Sequence, residues 1–338
     1  MTDSTFTPTL RQQVSLSFAY LAYSGEDLIG DPAVPAQILE IINRSMPGIP
    51  PLLDANKRVD WRVVWGPSSY TFPHAKYQDN MMFVAQQVSK PANYAVAVRG
   101  TNARAVWDWV EEDLEVWTKS PWKAPQGVAV QGSPMISNAT QDGINVLLKD
   151  LIPIEGMPGY PDDITAFLGS LAASGKVNLL FTGHSLGGAL APTLALWFKQ
   201  SRNLAGGWDP QGNASISTVS FAGPTAGNRD FANFFNTQLG GAYDRIYNTL
   251  DIVPHAWEEA TLDELPGIYS PEIRMPLAEK LLVNFIKLTV KGYVQIGAGN
   301  PITWTIQPTD KSSYLEQAEI QHNNAYPNLL QVPELFKY

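Results

Sequence analysis

The hexapeptide Gly183-His184-Ser185-Leu186-Gly187-Gly188 constrains this chain more than any other stretch. It follows a short apolar segment, Asn178 to Phe181, that reads as a buried strand. It opens into Leu186 to Gln200, whose small and apolar residues read as a helix. A strand that turns into a helix within so few residues brings the two backbones almost into contact. The residues two before and two after the serine must therefore lack a side chain. The serine itself is forced into strained backbone angles, and its oxygen stands clear of the sheet at a helix N-terminus. There, unpaired N–H groups and the positive dipole end favour developing negative charge. A tight strand-to-helix turn with an incidental serine would satisfy the same spacing. Pro192, about two turns into the helix, removes a backbone bond and should kink the axis.

The surrounding pattern supports an α/β architecture. Apolar spacing predicts helices over Phe6 to Gly25, Ala33 to Met46, Gln141 to Leu151, Ile164 to Ala173 and Arg229 to Leu239. Trp61 to Trp65 and Met81 to Gln86 read as paired strands, and Tyr94 to Val98, Ile216 to Phe221 and Arg245 to Tyr247 as further strands. Strands that alternate with helices and are nearly continuously apolar imply a mainly parallel central sheet covered on both faces. Between Val253 and Ala318 the alternation lapses around one long apolar helix, about Pro276 to Lys291. The whole chain, 1–338, is expected to form one domain, with a cap or insertion at about 256–318.

Composition narrows the chemistry. The net charge of −9, without a Lys/Arg block, argues against nucleic-acid binding. The absence of cysteine excludes disulfides, thiolate metal sites and a cysteine nucleophile. No metal-binding motif and no nucleotide fingerprint is legible, so no cofactor is expected. Val177 to Phe198 contains no Asp, Glu, Lys or Arg across 22 residues, but its His, glycines and Pro192 fit strand, turn and helix better than a membrane span. Met1-Thr-Asp-Ser-Thr-Phe-Thr-Pro shows no basic segment followed by an apolar core. A cytoplasmic location or a signal-independent export route is the expectation.

Gly183-His-Ser-Leu-Gly-Gly-Ala-Leu190 resembles the serine elbow of the class 3 lipases, the fungal-type triacylglycerol lipases and their bacterial relatives. Val96-Ala-Val-Arg-Gly-Thr101 is similar to that family's oxyanion segment. Phe221-Ala-Gly-Pro-Thr-Ala-Gly-Asn228 is similar to its G-x-P-x-x-G-N stretch, and Asn248-Thr-Leu-Asp-Ile-Val-Pro254 to its acid-bearing segment. The resemblance covers about residues 80 to 255 and a patch around His322. It implies an α/β-hydrolase fold with the cap inserted between acid and base. It also implies a serine carboxylic ester hydrolase acting on acylglycerols or related lipid esters. A phospholipase A1-type acyl hydrolase and a catalytically silent binding protein on the same fold are the alternatives. Two departures bear on substrate range. Val130-Gln-Gly-Ser133 stands where many relatives carry His-x-Gly-Phe, and the insertion between acid and base is long.

A serine hydroxyl needs an imidazole to accept its proton and a carboxylate to orient that imidazole. The chain has four histidines. His184 lies within the elbow and suits packing or hydrogen bonding. His74 precedes the serine, out of order, and reads as a loop residue. His255 follows the proposed acid by four residues and is the second candidate base. His322 completes the order serine, acid, histidine, and the resemblance places the base there too. Asp251, on the loop leaving a strand, is the candidate acid, although an Asx-turn before proline would also account for it. Asp230 is a weaker rival, since a carboxylate in a helix's first turn already complements the dipole. The Leu186 N–H would supply one oxyanion donor and, by resemblance, Thr101 the other.

Trp107, Trp109, Trp117 and Trp122 crowd the segment after the oxyanion strand, where the resembling lipases carry a lid. Trp107 and Trp109 are candidates for a lid or acyl-pocket wall, or for ordinary burial. On the cap helix, Lys280, Asn284, Lys287 and Lys291 form one stripe beside a broad apolar face. That pattern suits peripheral contact with an anionic lipid surface, or a cap helix with its solvated side outward. The expected partner is a lipid or ester substrate.

Overall fold

The computed structural model describes residues 6–28, 34–71, 80–100, 118–204, 206–307 and 313–337. Thr9 and Gln12 form a reciprocal capping box that starts helix α1 (Leu10–Leu21), shorter at both ends than the apolar spacing predicts. Helix α2 (Val34–Ser45) follows. Strands β1 (Trp61–Tyr70), β2 (Asn80–Gln87) and β3 (Asn93–Val98) run antiparallel to one another, in register from Trp61 opposite Gln87 and from Met82 opposite Val98. A small ladder, β4 (Lys119–Pro121) with β5 (Met135–Ser137), has no counterpart in the sequence reading.

The alternating part comprises α3 (Asn138–Lys149), α4 (Ile164–Ser174), β6 (Val177–His184), α5 (Leu186–Ser201), β7 (Ala214–Phe221), α6 (Arg229–Leu239) and β8 (Tyr243–Asn248). Beyond it lie the short helix α7 (Glu259–Leu262), α8 (Leu277–Thr289), strand β9 (Gly299–Ile302), α9 (Tyr314–Asn323) and α10 (Ala325–Leu329). Seven of the nine described strands form one sheet in the order β1-β2-β3-β6-β7-β8-β9, with every pair from β3 onward parallel. This is the mainly parallel sheet that the strand–helix alternation implies. β9 extends it by one strand, drawn from the stretch where the alternation lapses.

Side chains alternate across the sheet, and each face has its own core. Val96, Val98, Leu179, Phe181 and Ile216 point to the side covered by α3, α4, α5 and α6. Ala95, Ala97, Val219, Phe221 and Ile246 point to the side covered by α1, α2 and the C-terminal segment around Tyr326 and Leu330. A third cluster lies in the cap region: Trp257, Leu265, Tyr269, Val283 and Ile286 pack with Ile252 and Val253 and with Tyr314 and Ala318 of α9.

Helix α5 runs unbroken through Pro192. The proline withdraws the donor that would reach the Gly188 carbonyl four residues earlier. That carbonyl faces Gly223, where a Cβ would come within 2.6 Å of it. Among the described residues no helix is long and apolar enough to cross a membrane.

Candidate active site

Ser185 stands between the last residue of β6 and the first of α5, with φ 59° and ψ −131°. For a residue with a side chain this is sparsely populated backbone, held here by its surroundings. Its N–H donates to the Phe221 carbonyl at 3.1 Å, and its carbonyl accepts from the Gly188 N–H at 2.8 Å. The flanking glycines are obligatory. A Cβ on Gly183 would run into the Gly187 carbonyl, and one on Gly187 into the Val98 carbonyl. Leu186, the first residue of α5, has an N–H that is one of the four amides a helix leaves without an internal partner. Gly188 packs against Gly223 of the G-x-P-x-x-G-N stretch. Asn228 of that stretch caps α6 by accepting from the Phe231 N–H. The stretch therefore supports the elbow from behind.

The end of β3 meets the elbow from the other side. Gly100 approaches so closely that a Cβ would lie 2.5 Å from the Tyr23 hydroxyl and 2.7 Å from the His184 carbonyl. Arg99 is buried and turns away from the sheet's edge. It donates from Nε to the Ala22 carbonyl and from Nη2 to the Ser24 carbonyl, both at 2.7 Å, where a cation complements the C-terminal end of α1. Arg99 thereby fixes the turn that carries Tyr23. The Tyr23 hydroxyl donates to the His184 carbonyl at 3.0 Å. Burial pushes the Tyr23 pKa up, as does the charge of Glu26. Arg99, the Gly100 backbone and the Ser185 hydroxyl pull it down, and the phenol stays protonated. Thr101, Trp107, Trp109 and His74 lie outside the described residues.

Asp251 leaves the C-terminal end of β8 and is fully buried. Its Oδ1 accepts from the Val253 N–H at 3.0 Å and its Oδ2 from the Tyr326 hydroxyl at 2.7 Å. Both oxygens also lie at hydrogen-bond distance from Nδ1 of His322, 3.0 and 2.9 Å. Because a carboxylate only accepts, Nδ1 carries the proton, which leaves Nε2 as the basic nitrogen. That Nε2 is buried and makes no hydrogen bond among the described residues, the Ser185 hydroxyl included. Asn248 steadies the same helix by donating from Nδ2 to the Gln321 side chain at 2.7 Å.

His184 links serine and histidine. Its Nε2 donates to the His322 carbonyl at 3.0 Å, and the two rings lie 4.6 Å apart. Burial, and then the proximity of His322, depress its pKa well below the ordinary histidine value, so the ring stays neutral. The structure thus joins Asp251 to His322 directly, and His322 to the elbow through His184. His255 is elsewhere, buried on the turn Val253–His255, with Nδ1 3.3 Å from Glu264 Oε2. Asp230 accepts from the Ser133 N–H at 2.8 Å in the first turn of α6.

Tyr326 and Tyr23 are the residues that sequence reasoning missed. Tyr326 had a usable signal, lying four positions beyond His322, whereas Tyr23 is far from every motif. Burial and the Asp251 charge hold the Tyr326 phenol well above its usual pKa, and it remains a donor to that carboxylate.

A parallel sheet with a strained serine at one strand end, and a carboxylate–histidine pair beside it, defines an α/β-hydrolase. The family model for class 3 lipases matches residues 95–260. M37 lipase is 34% identical, with a TM-score of 0.85 over 96% of this chain and 95% of that one. A triacylglycerol lipase described as having a serine protease triad for its catalytic centre is 18% identical, covering 86% and 79% with a TM-score of 0.49. The lipase from Rhizopus microsporus var. chinensis is 18% identical, covering 75% and 72% with a TM-score of 0.46. The chain belongs to the class 3 lipase family and is a lipase-type carboxylic ester hydrolase.

Proposed function

We propose that this enzyme hydrolyses acylglycerols or related lipid esters through an acyl-enzyme on Ser185, within one α/β-hydrolase domain capped at about 256–318. His322 Nε2 takes the hydroxyl proton as Oγ attacks the ester carbonyl carbon. The tetrahedral oxyanion rests on the N–H groups of Leu186 and Thr101. Collapse breaks the bond to the alcohol, which leaves with the proton from the imidazolium. Water then repeats the sequence on the acyl-enzyme, releasing the fatty acid and restoring the Ser185 hydroxyl. Asp251 holds the ring in the Nδ1–H tautomer and offsets the imidazolium charge. Trp107 and Trp109 are assigned to the wall or lid over the acyl chain.

The observation that carries this reading is the pairing of His322 with a buried carboxylate that already has two other donors. It leaves Nε2 uncommitted on a residue that His184 ties to the elbow. A serine–histidine contact that closes only around substrate is ordinary for such sites. A fluorophosphonate probe tests the nucleophile: the wild-type chain should label and Ser185→Ala should not. Undiminished labelling of that variant would move the nucleophile elsewhere. Rates on triacylglycerol, phospholipid and short soluble ester identify the substrate, and a preference for phospholipid would replace the acylglycerol assignment with a phospholipase.

A further inference from the structure

Helix α8 has two apolar faces. Val283 and Ile286 point inward to the cap cluster. Leu277, Leu281, Phe285 and Leu288, at spacings of 4, 4 and 3, point outward and are 71, 60, 45 and 76% exposed. Together they present roughly 500 Å² of apolar side chain, at the upper end of what a monomer normally leaves in water. The basic stripe read from the sequence does not dominate this surface. Lys287 pairs with Asp263, and Lys291 Nζ lies 3.1 Å from Glu259 Oε1, so both charges are answered within the cap.

The position of the helix matters as much as its composition. Its inner face rests on the cluster that contains Ile252 and Val253, next to Asp251, and Tyr314 and Ala318 of the helix that carries His322. The inner face thus anchors the helix to the segments that carry Asp251 and His322, while Leu277, Leu281 and Leu288 are left exposed on the other side.

We propose that this stripe is the face by which the enzyme seats on an uncharged oil–water surface of aggregated lipid ester. The proposal rests on the lipid-ester reading above and adds where the bulk phase is met. Neutral lipid fits better than anionic lipid because two of the stripe's lysines are already paired and the protein carries a net charge of −9. A second copy of the chain fits less well, because a stable protein interface needs about 800 Å² per partner, well above this patch. A fluid apolar phase imposes no such requirement of shape, and attachment to it grows with the apolar area that the exposed leucines bury.

The test separates attachment from chemistry. The Ser185→Ala chain is mixed with triolein droplets coated with phosphatidylcholine and recovered by flotation. It should partition to the droplets equally at about 0.05 and 0.5 M NaCl, since apolar contact is not screened. Adding Leu281→Gln and Leu288→Gln should lower the partition coefficient at least tenfold. In the Ser185 chain the same pair should slow hydrolysis of emulsified triolein and leave turnover of a short soluble ester unchanged. Unaltered partitioning in the double variant would overturn the proposal, as would partitioning abolished by salt. So would a parallel loss of soluble-ester turnover, or a dimer in solution that the two substitutions dissolve. A chain that floats with the droplets but hydrolyses nothing would leave the docking face standing and remove the catalytic reading.

Discussion

Tyr326→Phe removes one hydroxyl from the centre of the site. The phenylalanine ring keeps the packing of the tyrosine against His184, 5.4 Å between centroids, and against Phe221 at 6.4 Å. What disappears is the hydroxyl, and with it two bonds: the 2.7 Å donation to Asp251 and the 3.1 Å acceptance from the Asn248 N–H. A bond to a charged group contributes about 1.5–3 kcal/mol, and a buried N–H left without an acceptor costs about 1–3 kcal/mol. Partial relaxation brings the expected loss of stability to about 2–4 kcal/mol. Urea unfolding should show it as a lower midpoint with an unchanged slope. Asp251 would keep the Val253 N–H and the imidazole but lose the donor opposite them. Freer motion of the carboxylate should lower kcat on a soluble ester about ten- to hundredfold, equivalent to about 1.4–2.7 kcal/mol at the transition state. Stability within about 0.5 kcal/mol of wild type, together with unchanged kcat, would refute the idea that the phenol holds the acid. Lost stability with unchanged kcat would make Tyr326 a structural residue only.

His184 should impose a measurable dependence of stability on pH. The folded protein keeps this ring neutral, whereas the unfolded chain binds a proton near pH 6.5, so the unfolded state gains protons as pH falls. The ring's contribution is complete above about pH 6.5 and is lost below it, at up to about 1.4 kcal/mol per pH unit. The difference in unfolding free energy between wild type and His184→Gln should show that slope, and parallel pH profiles would contradict it. Gly187→Ala should destabilise the protein by about 1–3 kcal/mol or more, because its Cβ would meet the Val98 carbonyl and sit 2.9 Å from the Gly100 nitrogen. Gly241→Ala, with nothing within 4 Å of the added carbon, serves as the control and should stay within about 0.5 kcal/mol. Thermal or urea unfolding distinguishes them, and equal shifts in the two variants would discount the crowding argument.

The elbow was legible because its glycines report a steric necessity that any fold containing it must satisfy. Strand β3 and the middle of β6 were legible because burial on both faces makes them nearly continuously apolar. Helix α9 was not, for a physical reason. Its buried positions are Tyr314, Gln317, Ala318, Gln321 and His322, a perfect helical period occupied largely by polar side chains. Those polar groups are buried because they are spoken for: Gln321 by Asn248 and the Thr305 carbonyl, His322 by Asp251. A hydropathy pattern cannot report such a face. Strand β9 was hidden by brevity and by Pro301, which an edge strand tolerates. On α8 the sequence showed a basic stripe beside a broad apolar face; what it could not show is that Leu277, Leu281 and Leu288 lie exposed while Lys287 and Lys291 pair within the cap.

Helix α1 is tied to almost every part that surrounds the site. Gln12 reaches Asp244 of β8, Gln13 the Leu330 carbonyl, Tyr20 the Asn323 carbonyl, and the Ser15 carbonyl receives Thr182 of β6. These bonds span between 167 and 317 positions of chain, so α1 is completed only when segments far along the sequence have taken their places. Contacts of such long sequence separation are the slow ones to form, so the walls of this site come together late, as one unit, and not piece by piece.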